Sequence, residues 1–288
     1  LKSRGAEKKQ ERDNLRAELA ALQTKDGKLL ARLKGFNVDV ATGWQWIQDN
    51  QDKFEKEVFG PPMLSCSIKD ARYSDHVQAL LRPDDMLCFI TQTREDHKKL
   101  SDCLYKDMRI TATIRTCLTS FQSFQHPVPA ENLKTMGLDG YVSDLLQGPD
   151  PVLAMLCAER SIHTSAVGLN DISDGQYQRI LAGGKINNFA AGRSLYRVTR
   201  RKEYGPKAES TRTSQFERGK YWTDEPVEKP HLDELQRKSE QVGKEIDELK
   251  ERFKEINEKR SEKEKEFKEA KAREVSAKPA LWLDMNIY

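Results

Sequence analysis

The stretch LDELQRKSEQVGKEIDELKERFKEI, residues 232–256, decides how the rest of the chain is organised. Its apolar residues fall at Leu235, Val242, Ile246, Leu249, Phe253 and Ile256, and again at Phe267, with Ser239, Arg260 and Lys263 filling the seam positions between them. Steps that alternate four and three are the a/d seam of a heptad helix. The residues between are almost all Glu, Lys and Arg. A helix with one narrow apolar stripe cannot bury it alone and needs a partner helix. The partner stands at the other end of the chain, where Leu15, Leu19, Leu22, Leu29, Leu33 and Phe36 keep the same alternation, with Asp26 in the gap. Two such arms around a segment of different composition predict a hairpin, with one helix out, a globule, and one helix back. Pairing within the chain is favoured over pairing between chains, because the globule holds the two roots close and raises their effective concentration. The expected fold is a mixed α/β globule with an antiparallel intramolecular coiled coil. The expected boundaries are an arm over 1–58 with a break near 35–39, a globule over 59–220, a joint and second arm over 221–279, and a tail over 280–288.

Of the 288 residues, 33% are charged and the net charge is +3, while the mean hydropathy is −0.78. Much of the charge lies in the arms, so the core-forming part is the middle, near Phe59 to Phe216. The small net charge does not imply nucleic acid by itself, and any such reading rests on local clustering. The five cysteines, Cys66, Cys88, Cys103, Cys117 and Cys157, all lie in the middle. Their odd number, and the lack of metal-ligand spacing, read as reduced buried thiols of a cytosolic or nuclear protein, with no metal site. No run of 18 apolar residues and no leader pattern appears, so no membrane partner is expected. The chain starts inside an already helical stretch, which reads as a piece of a longer protein.

Along the middle, Asp39 can cap a helix over Val40 to Val58, and Gly60-Pro61-Pro62 punctuates the approach to the globule. Strands are expected at Met63–Ile68, Met86–Ile90, Ile110–Arg115, Ile162–Val167, Phe189–Arg200 and Glu209–Phe216. Helices are expected at Tyr73–Leu81, Thr93–Lys106, Leu138–Gln147, Pro151–Arg160 and Ser173–Leu181, the last stopped by Gly183-Gly184. Strands alternating with helices give a mixed α/β domain. No catalytic constellation appears. Gly183-Gly184-Lys185 lacks the upstream glycine of a phosphate-binding loop, and the histidines are scattered. No cofactor is expected in this chain.

One stretch stands out chemically. Arg193, Arg197, Arg200, Arg201, Lys202, Lys207, Arg212, Arg218 and Lys220 face only Glu203, Glu209 and Glu217, with Tyr196, Tyr204, Phe216, Tyr221 and Trp222 interleaved. Cations supply a salt-dependent phosphate attraction, and aromatic rings offer stacking surfaces for unpaired bases. The competing reading is that these charges decorate exposed strands. Single-stranded DNA is the preferred nucleic acid expected for this stretch, with little sequence readout, because no base-reading helix motif is present.

The arm, α/β globule and returning arm resemble the hinge region of SMC (structural maintenance of chromosomes) proteins. Phe59-Gly60-Pro61 leading into Leu64-Ser65-Cys66-Ser67-Ile68-Lys69-Asp70 is similar to the hinge of the branch formed by the fifth and sixth eukaryotic paralogues, and most like the fifth. The same holds for Gly137-Leu138-Asp139-Gly140-Tyr141-Val142-Ser143-Asp144-Leu145-Leu146, for Pro149-Asp150-Pro151-Val152-Leu153-Ala154-Met155-Leu156-Cys157 and for Ile162-His163-Thr164-Ser165-Ala166-Val167-Gly168. Common hinges end near a Gly-rich dimer seam, whereas Val198 to Phe216 here is basic and holds only Gly205. The resemblance implies a hinge heterodimer with the sixth paralogue and ATPase heads outside this stretch. It also implies work in the nucleus, on chromatin, in DNA repair, recombination and chromosome maintenance. Gly137 and Gly140 are candidates for the contact with a second hinge, or serve turns within one globule. A coiled-coil scaffold with a passive cap and no DNA role remains the alternative.

Overall fold

In a computed structural model the chain is described over residues 2–21, 24–200, 209–223 and 229–284. It divides into two compact units, one of residues Leu1–Thr24 with Val227–Tyr288 and one of Lys25–Pro226.

The first unit is a helical pair, α1 (Lys2–Ala21) against the long C-terminal helix of residues Lys229–Asp284. On α1 the positions turned inward are Gly5, Lys8, Arg12, Leu15 and Leu19, which continues the three-four alternation toward the N-terminus. On the long helix Leu235, Val242 and Ile246 are buried, and Ser239, Leu249 and Phe253 are half-buried. Lys8 reaches Glu245 at 3.0 Å, which places the N-terminal part of α1 beside the middle of that seam. Ile256, by contrast, is 48% exposed. A parallel pair would set Leu19 over Ile256 at this register; an antiparallel pair sets it near Leu235, which is buried. The pair is therefore an antiparallel coiled coil within one chain. Charged residues at two of the α1 seam positions make its seam more polar than that of its partner.

The second unit begins earlier than Phe59, since α2 (Lys25–Phe36) and α3 (Val38–Asp49) belong to it. Leu33 is fully buried in the globular core with Val40, Ala41 and Ile47. Leu33, with Leu30 packed against the same core, is thus part of a core-facing stripe and not of a coiled-coil seam, because any 3.6-period helix buries such a stripe. Asn37, not Asp39, caps α3, its side chain accepting from the Val40 N–H at 3.0 Å. The Asp39 carboxylate accepts instead from the Thr111 N–H at 2.9 Å.

The chain then runs through α4 (Pro62–Ser65), β1 (Ser67–Ile68), α5 (Ser74–Leu80), α6 (Pro83–Met86), β2 (Phe89–Thr91) and α7 (Arg94–Ser101), which continues as a π-turn over Asp102–Asp107. Next come β3 (Ile114–Thr116), α8 (Ala130–Thr135), β4 (Gly140–Tyr141), α9 (Val142–Leu145), β5 (Leu146–Gln147) and α10 (Asp150–Arg160). The globule closes with β6 (Ala166–Gly168), α11 (Asp174–Gly183), β7 (Asn188–Ala191), β8 (Ser194–Arg200) and β9 (Glu209–Gln215), and the long helix is α12. β1 pairs antiparallel with β5, and β2 pairs parallel with β3. The main sheet has the order β4-β6-β7-β8-β9, with β6 and β7 parallel and the other neighbours antiparallel.

That sheet separates two hydrophobic cores, and strand alternation decides which residue joins which. Val167, Ala190 and Leu195 join the larger core, with Val77 and Leu80 of α5, Val152 to Cys157 of α10, and the residues of α2 and α3. Ala166, Phe189, Ala191 and Val198 join the smaller one, with Leu133 of α8 and Ile180 of α11.

Several local expectations are revised. Met63–Ile68 is not one strand: Pro61 and Pro62 start a short helix, with Pro62 at its first turn, before β1. Leu138–Gln147 is not one helix: only Val142–Leu145 makes a helical turn, between β4 and β5. The Asp139 N–H donates to the Val167 carbonyl at 2.7 Å, so the chain pairs with β6 before it can coil. Phe189–Arg200 is two strands joined at Gly192-Arg193, where Gly192 has φ +55°, as the first residue of a primed hairpin turn requires. A Cβ at Gly192 would stand 1.8 Å from Asp171 Oδ1. The helix ending at Gly184, with φ +67°, stops as its glycine pair predicts. α12 continues through Ala280 to Asp284, where a break in the heptad was expected, and residues 285–288 lie outside the described residues.

Two buried carboxylates inside the globule are paired. The Asp85 carboxylate is fully buried, accepts from the Arg82 N–H at 2.8 Å, and forms ion pairs with Arg115, at 3.0 Å, and Arg160. This ties α6, β3 and α10 together. Asp96 is fully buried too. Burial pushes its carboxyl up, but the N–H groups of Glu55 and Lys56 and the Thr93 hydroxyl outweigh that and hold it below its usual value. Cys66, Cys88, Cys117 and Cys157 are buried free thiols and Cys103 is half-buried. Burial pushes the Cys66, Cys88 and Cys157 thiols up to about 12.

Three outcomes follow for stability, each read by urea denaturation. Asp85→Ala leaves two arginines facing a buried void and is expected to cost about 3–5 kcal/mol. Gly192→Ala meets both the positive φ and Asp171, and is expected to cost more than about 1 kcal/mol. The His163 ring is held neutral, burial first and His126 second pulling its pKa below the ordinary 6.5. Stability is then fully present above about pH 6.5 and declines as the pH falls below it, toward the depressed folded-state value. His163→Gln is expected to flatten that decline.

Candidate nucleic-acid interface

β8 and β9 form the outer ribbon of the main sheet, in register from Ser194↔Gln215 to Arg200↔Glu209. Arg197 and Arg212 are cross-strand partners in that register. Both side chains are exposed, and among the described residues neither has an acidic partner. Like charges directly opposite one another on adjacent strands repel. The sequence tolerates this pair on a surface where an anion can relieve it. Arg193 sits at the hairpin turn that opens β8, also exposed, and its carbonyl accepts from the Phe216 N–H at 3.2 Å. Four residues of strand set it about 13 Å along the ribbon from Arg197.

The remaining residues of the basic stretch divide into three groups. Arg200 is engaged internally: it donates to the carbonyls of Ile186 (3.2 Å) and Leu181 (3.4 Å) and to the Asn187 side chain, and it pairs with Glu209 at 3.5 Å. Its guanidinium closes the C-terminal end of α11 and the loop after it, which removes it from an open basic surface. Arg218 and Lys220 are exposed on the segment after β9. Arg201, Lys202 and Lys207, with Tyr204 and the Gly205-Pro206 pair, lie outside the described residues, as does the seam candidate Leu22.

The interleaved aromatics depart from the expected stacking surface. Tyr196 stacks on Phe189 at 4.6 Å within the smaller core. Phe216 packs edge-on against His76 at 5.2 Å, and Trp222 packs on the larger core. His76 is itself fixed, its Nε2 lying 2.8 Å from the Gly192 carbonyl, so α5 buttresses the turn that carries Arg193. Tyr221 packs on the larger core as well and meets Phe36, the last residue of α2, with ring centroids 4.8 Å apart. Nothing in the spacing of Phe36 distinguished this role, since it continued the heptad steps of Leu29 and Leu33.

The segment from Gly219 to Thr223 has no helix or strand of its own and is held by side chains. The Gly219 N–H donates to Asp75 (2.9 Å), the Tyr221 N–H to Gln78 (2.8 Å), and the Ser74 hydroxyl and Arg32 guanidinium to the carbonyls of Trp222 (2.6 Å) and Thr223 (2.9 Å). Charge patterning drew attention to the cations here, whereas Gln78, Ser74 and Asp75 on α5 carried no sequence signal.

Of the two glycines considered for contact with a second hinge, Gly137 has φ +76° and a Cβ there would come within 2.8 Å of Gln176. It makes the tight turn between α8 and β4. Gly140 opens the edge strand β4, pairs with Val167, and has open space where a side chain would be. Among the described residues no group of three or more His, Cys, Asp or Glu could hold a metal ion, and no helix is long and apolar enough to cross a membrane.

No protein-family model matches the chain. Structural maintenance of chromosomes protein 5 of Schizosaccharomyces pombe is 27% identical over 218 residues, covering 72% of this chain and 20% of the relative. The protein of the same name from Arabidopsis thaliana is 22% identical over 183 residues, covering 62% of this chain and 17% of that one. The chain thus spans about a fifth of the length of these curated relatives. Among solved structures, the crystal structure of the S. pombe Smc5/6 hinge domain superposes with a TM-score of 0.62 at 24% identity, covering 96% of this chain and 98% of that chain. The matched fold is a hinge and not a catalytic head. The chain has the fold of an SMC hinge domain with coiled-coil arms, and its sequence is similar to that of structural maintenance of chromosomes protein 5.

Proposed function

We propose that this hinge is a dimerisation and DNA-contact module. It pairs with the hinge of the sixth SMC paralogue, joins two coiled-coil arms into one complex, and engages DNA through the β8–β9 ribbon. The observation that carries the DNA reading is the uncompensated cross-strand pair Arg197 and Arg212, extended by Arg193 at the turn and by Lys220 beyond β9. A flat ribbon of cations with no helix to enter a groove supports contact with phosphates and not with base edges, so sequence readout is low. The pairing rests on homology to the fifth paralogue and on the likeness to a solved hinge of the fifth and sixth together. In this reading the protein works in the nucleus, on chromatin, in DNA repair, recombination and chromosome maintenance, with single-stranded DNA preferred.

Arg193→Glu, Arg197→Glu and Arg212→Glu combined test the surface, because all three side chains are exposed and none supports the core. Fluorescence anisotropy with labelled oligonucleotides across a salt series is expected to show weaker binding and a slope of log affinity against log salt reduced by about 2 to 3. An unchanged slope removes the ribbon from DNA binding. Sedimentation of the same variant with the sixth-paralogue hinge is expected to show an undiminished heterodimer.

A further inference from the structure

The face of the ribbon that carries the open arginines also carries a free hydroxyl. Along β9, Thr211, whose hydroxyl accepts from Tyr177, and Thr213 turn to one face, while Arg212 and Ser214 turn to the other. Ser214 is exposed, and among the described residues its hydroxyl makes no hydrogen bond. It stands opposite Leu195, so three arginines surround it, each two positions away. Arg212 precedes it on its own strand, and Arg197 lies on one diagonal across β8. Arg193 lies on the other diagonal, opposite Phe216, whose N–H its carbonyl receives. Diagonal Cα atoms are about 7–8 Å apart and those two positions along a strand about 7 Å, spans that an arginine side chain crosses. All three arginines are exposed, and among the described residues none has an acidic partner. The neighbouring carboxylates are placed elsewhere. Glu209 lies on the opposite face, paired with Arg200 at 3.5 Å, Asp75 of α5 holds the Gly219 N–H at 2.9 Å, and Glu217 lies beyond the end of β9. Ser210, the other serine on this face, has two described arginines at the same spacing and directly follows Glu209.

We propose that Ser214 is a phosphorylation site, and that its phosphate is held by Arg193, Arg197 and Arg212 and closes the ribbon to other anions. β9 is the outer strand of the sheet, so a protein kinase reaches the hydroxyl and a free edge of the backbone. In the transfer, Ser214 Oγ attacks the γ-phosphorus of a nucleoside triphosphate bound to the kinase. The new P–O bond forms as the bond to the bridging β-phosphate oxygen breaks. The nucleoside diphosphate leaves, and the hydroxyl proton passes to the kinase's catalytic base. The product carries a charge of about −1.5 to −2 near neutral pH and three strong acceptor oxygens. Planar guanidinium groups meet such an anion with paired N–H donors. The phosphate also offsets the repulsion between Arg197 and Arg212, which the unmodified ribbon leaves opposed. The consequence for DNA rests on the DNA-contact reading of the ribbon, whereas capture of the phosphate does not.

The test uses the 288-residue chain with Ser214 phosphorylated, or with Thr213 phosphorylated as a control on the opposite face. In phosphorus NMR titrations the second ionisation of the Ser214 phosphate is expected about one unit below its ordinary value of about 6. Arg197→Gln and Arg212→Gln together are expected to return it toward that value, and the Thr213 phosphate is expected to titrate normally. Anisotropy with labelled oligonucleotides is expected to show the Ser214 phosphate weakening binding about 10- to 100-fold near 0.1 M salt, with the salt slope reduced by about 2. The Thr213 phosphate is expected to cost several-fold less. Incubation of the unmodified chain with a eukaryotic nuclear extract and magnesium nucleoside triphosphate, followed by peptide mass spectrometry, is expected to find phosphate on Ser214. No phosphate there, or a Ser214 phosphate that titrates like the control, overturns the proposal and leaves the DNA reading standing. A shifted phosphate with unchanged DNA binding supports the capture and overturns the role of the ribbon in DNA contact.

Discussion

The alternation of side chains along β6, β7 and β8 is the constraint on which the globule depends. Each of these three strands sends residues to opposite cores, so Ala166 and Val167, or Phe189 and Ala190, are neighbours in sequence and belong to different clusters. A slip of one residue would exchange every one of these assignments. Gly192 fixes the register of β7 against β8, because the positive φ at the turn determines which residues stand opposite. The tightness of that turn has a second consequence. With the Gly192 carbonyl held by His76 and the turn packed against Asp171, Arg193 is presented at a defined place on the surface. The same local geometry that sets the core also sets the first cation of the ribbon.

Buried charge plays a different part. Asp85, Arg115 and Arg160 come from a short helix, a strand and a long helix that share no local pattern. Hydrophobic contacts among these elements would tolerate sliding, whereas a buried carboxylate facing two guanidinium groups does not. Asp96 performs a similar task for the chain around Glu55 and Lys56, accepting backbone N–H groups that have no other partner in a segment without regular structure. In both cases the polar interior specifies geometry where the sequence has no periodicity to do so.

Much of the architecture was legible in the residues. The heptads gave the coiled coil, and the globule between the two arms gave its antiparallel sense, since it holds their roots close together. The expected helix spans located α7, α10 and α11 closely, and in the fold Thr93 and Ser173 are the N-caps of α7 and α11. What misled was pattern without context. Leu33 sat at a seam position and was buried in the globule, because heptad and amphipathic spacings coincide over a helix as short as α2. Leu138–Gln147 had helical spacing but its first residues were captured by β6 and its last by β1, where backbone pairing outweighed propensity and left one helical turn between them. In the basic stretch, counting charge found Arg193, Arg197 and Arg212 and also Arg200, whose role is internal. A guanidinium that closes a helix end and one that faces solvent look the same in a sequence.

The sequence by itself determined the elements that depend on neighbours close along the chain: the helical arms, the capped helices, the glycine stops and the clustering of cations between residues 193 and 220. Those follow from local sterics, periodicity and charge density. Only the tertiary structure decided which cations remain open, which aromatics are enclosed and that Phe36 meets Tyr221 across 185 positions of chain. Such outcomes depend on which surfaces the two cores consume. That is settled by packing between elements distant in sequence, for which no local pattern carries the information.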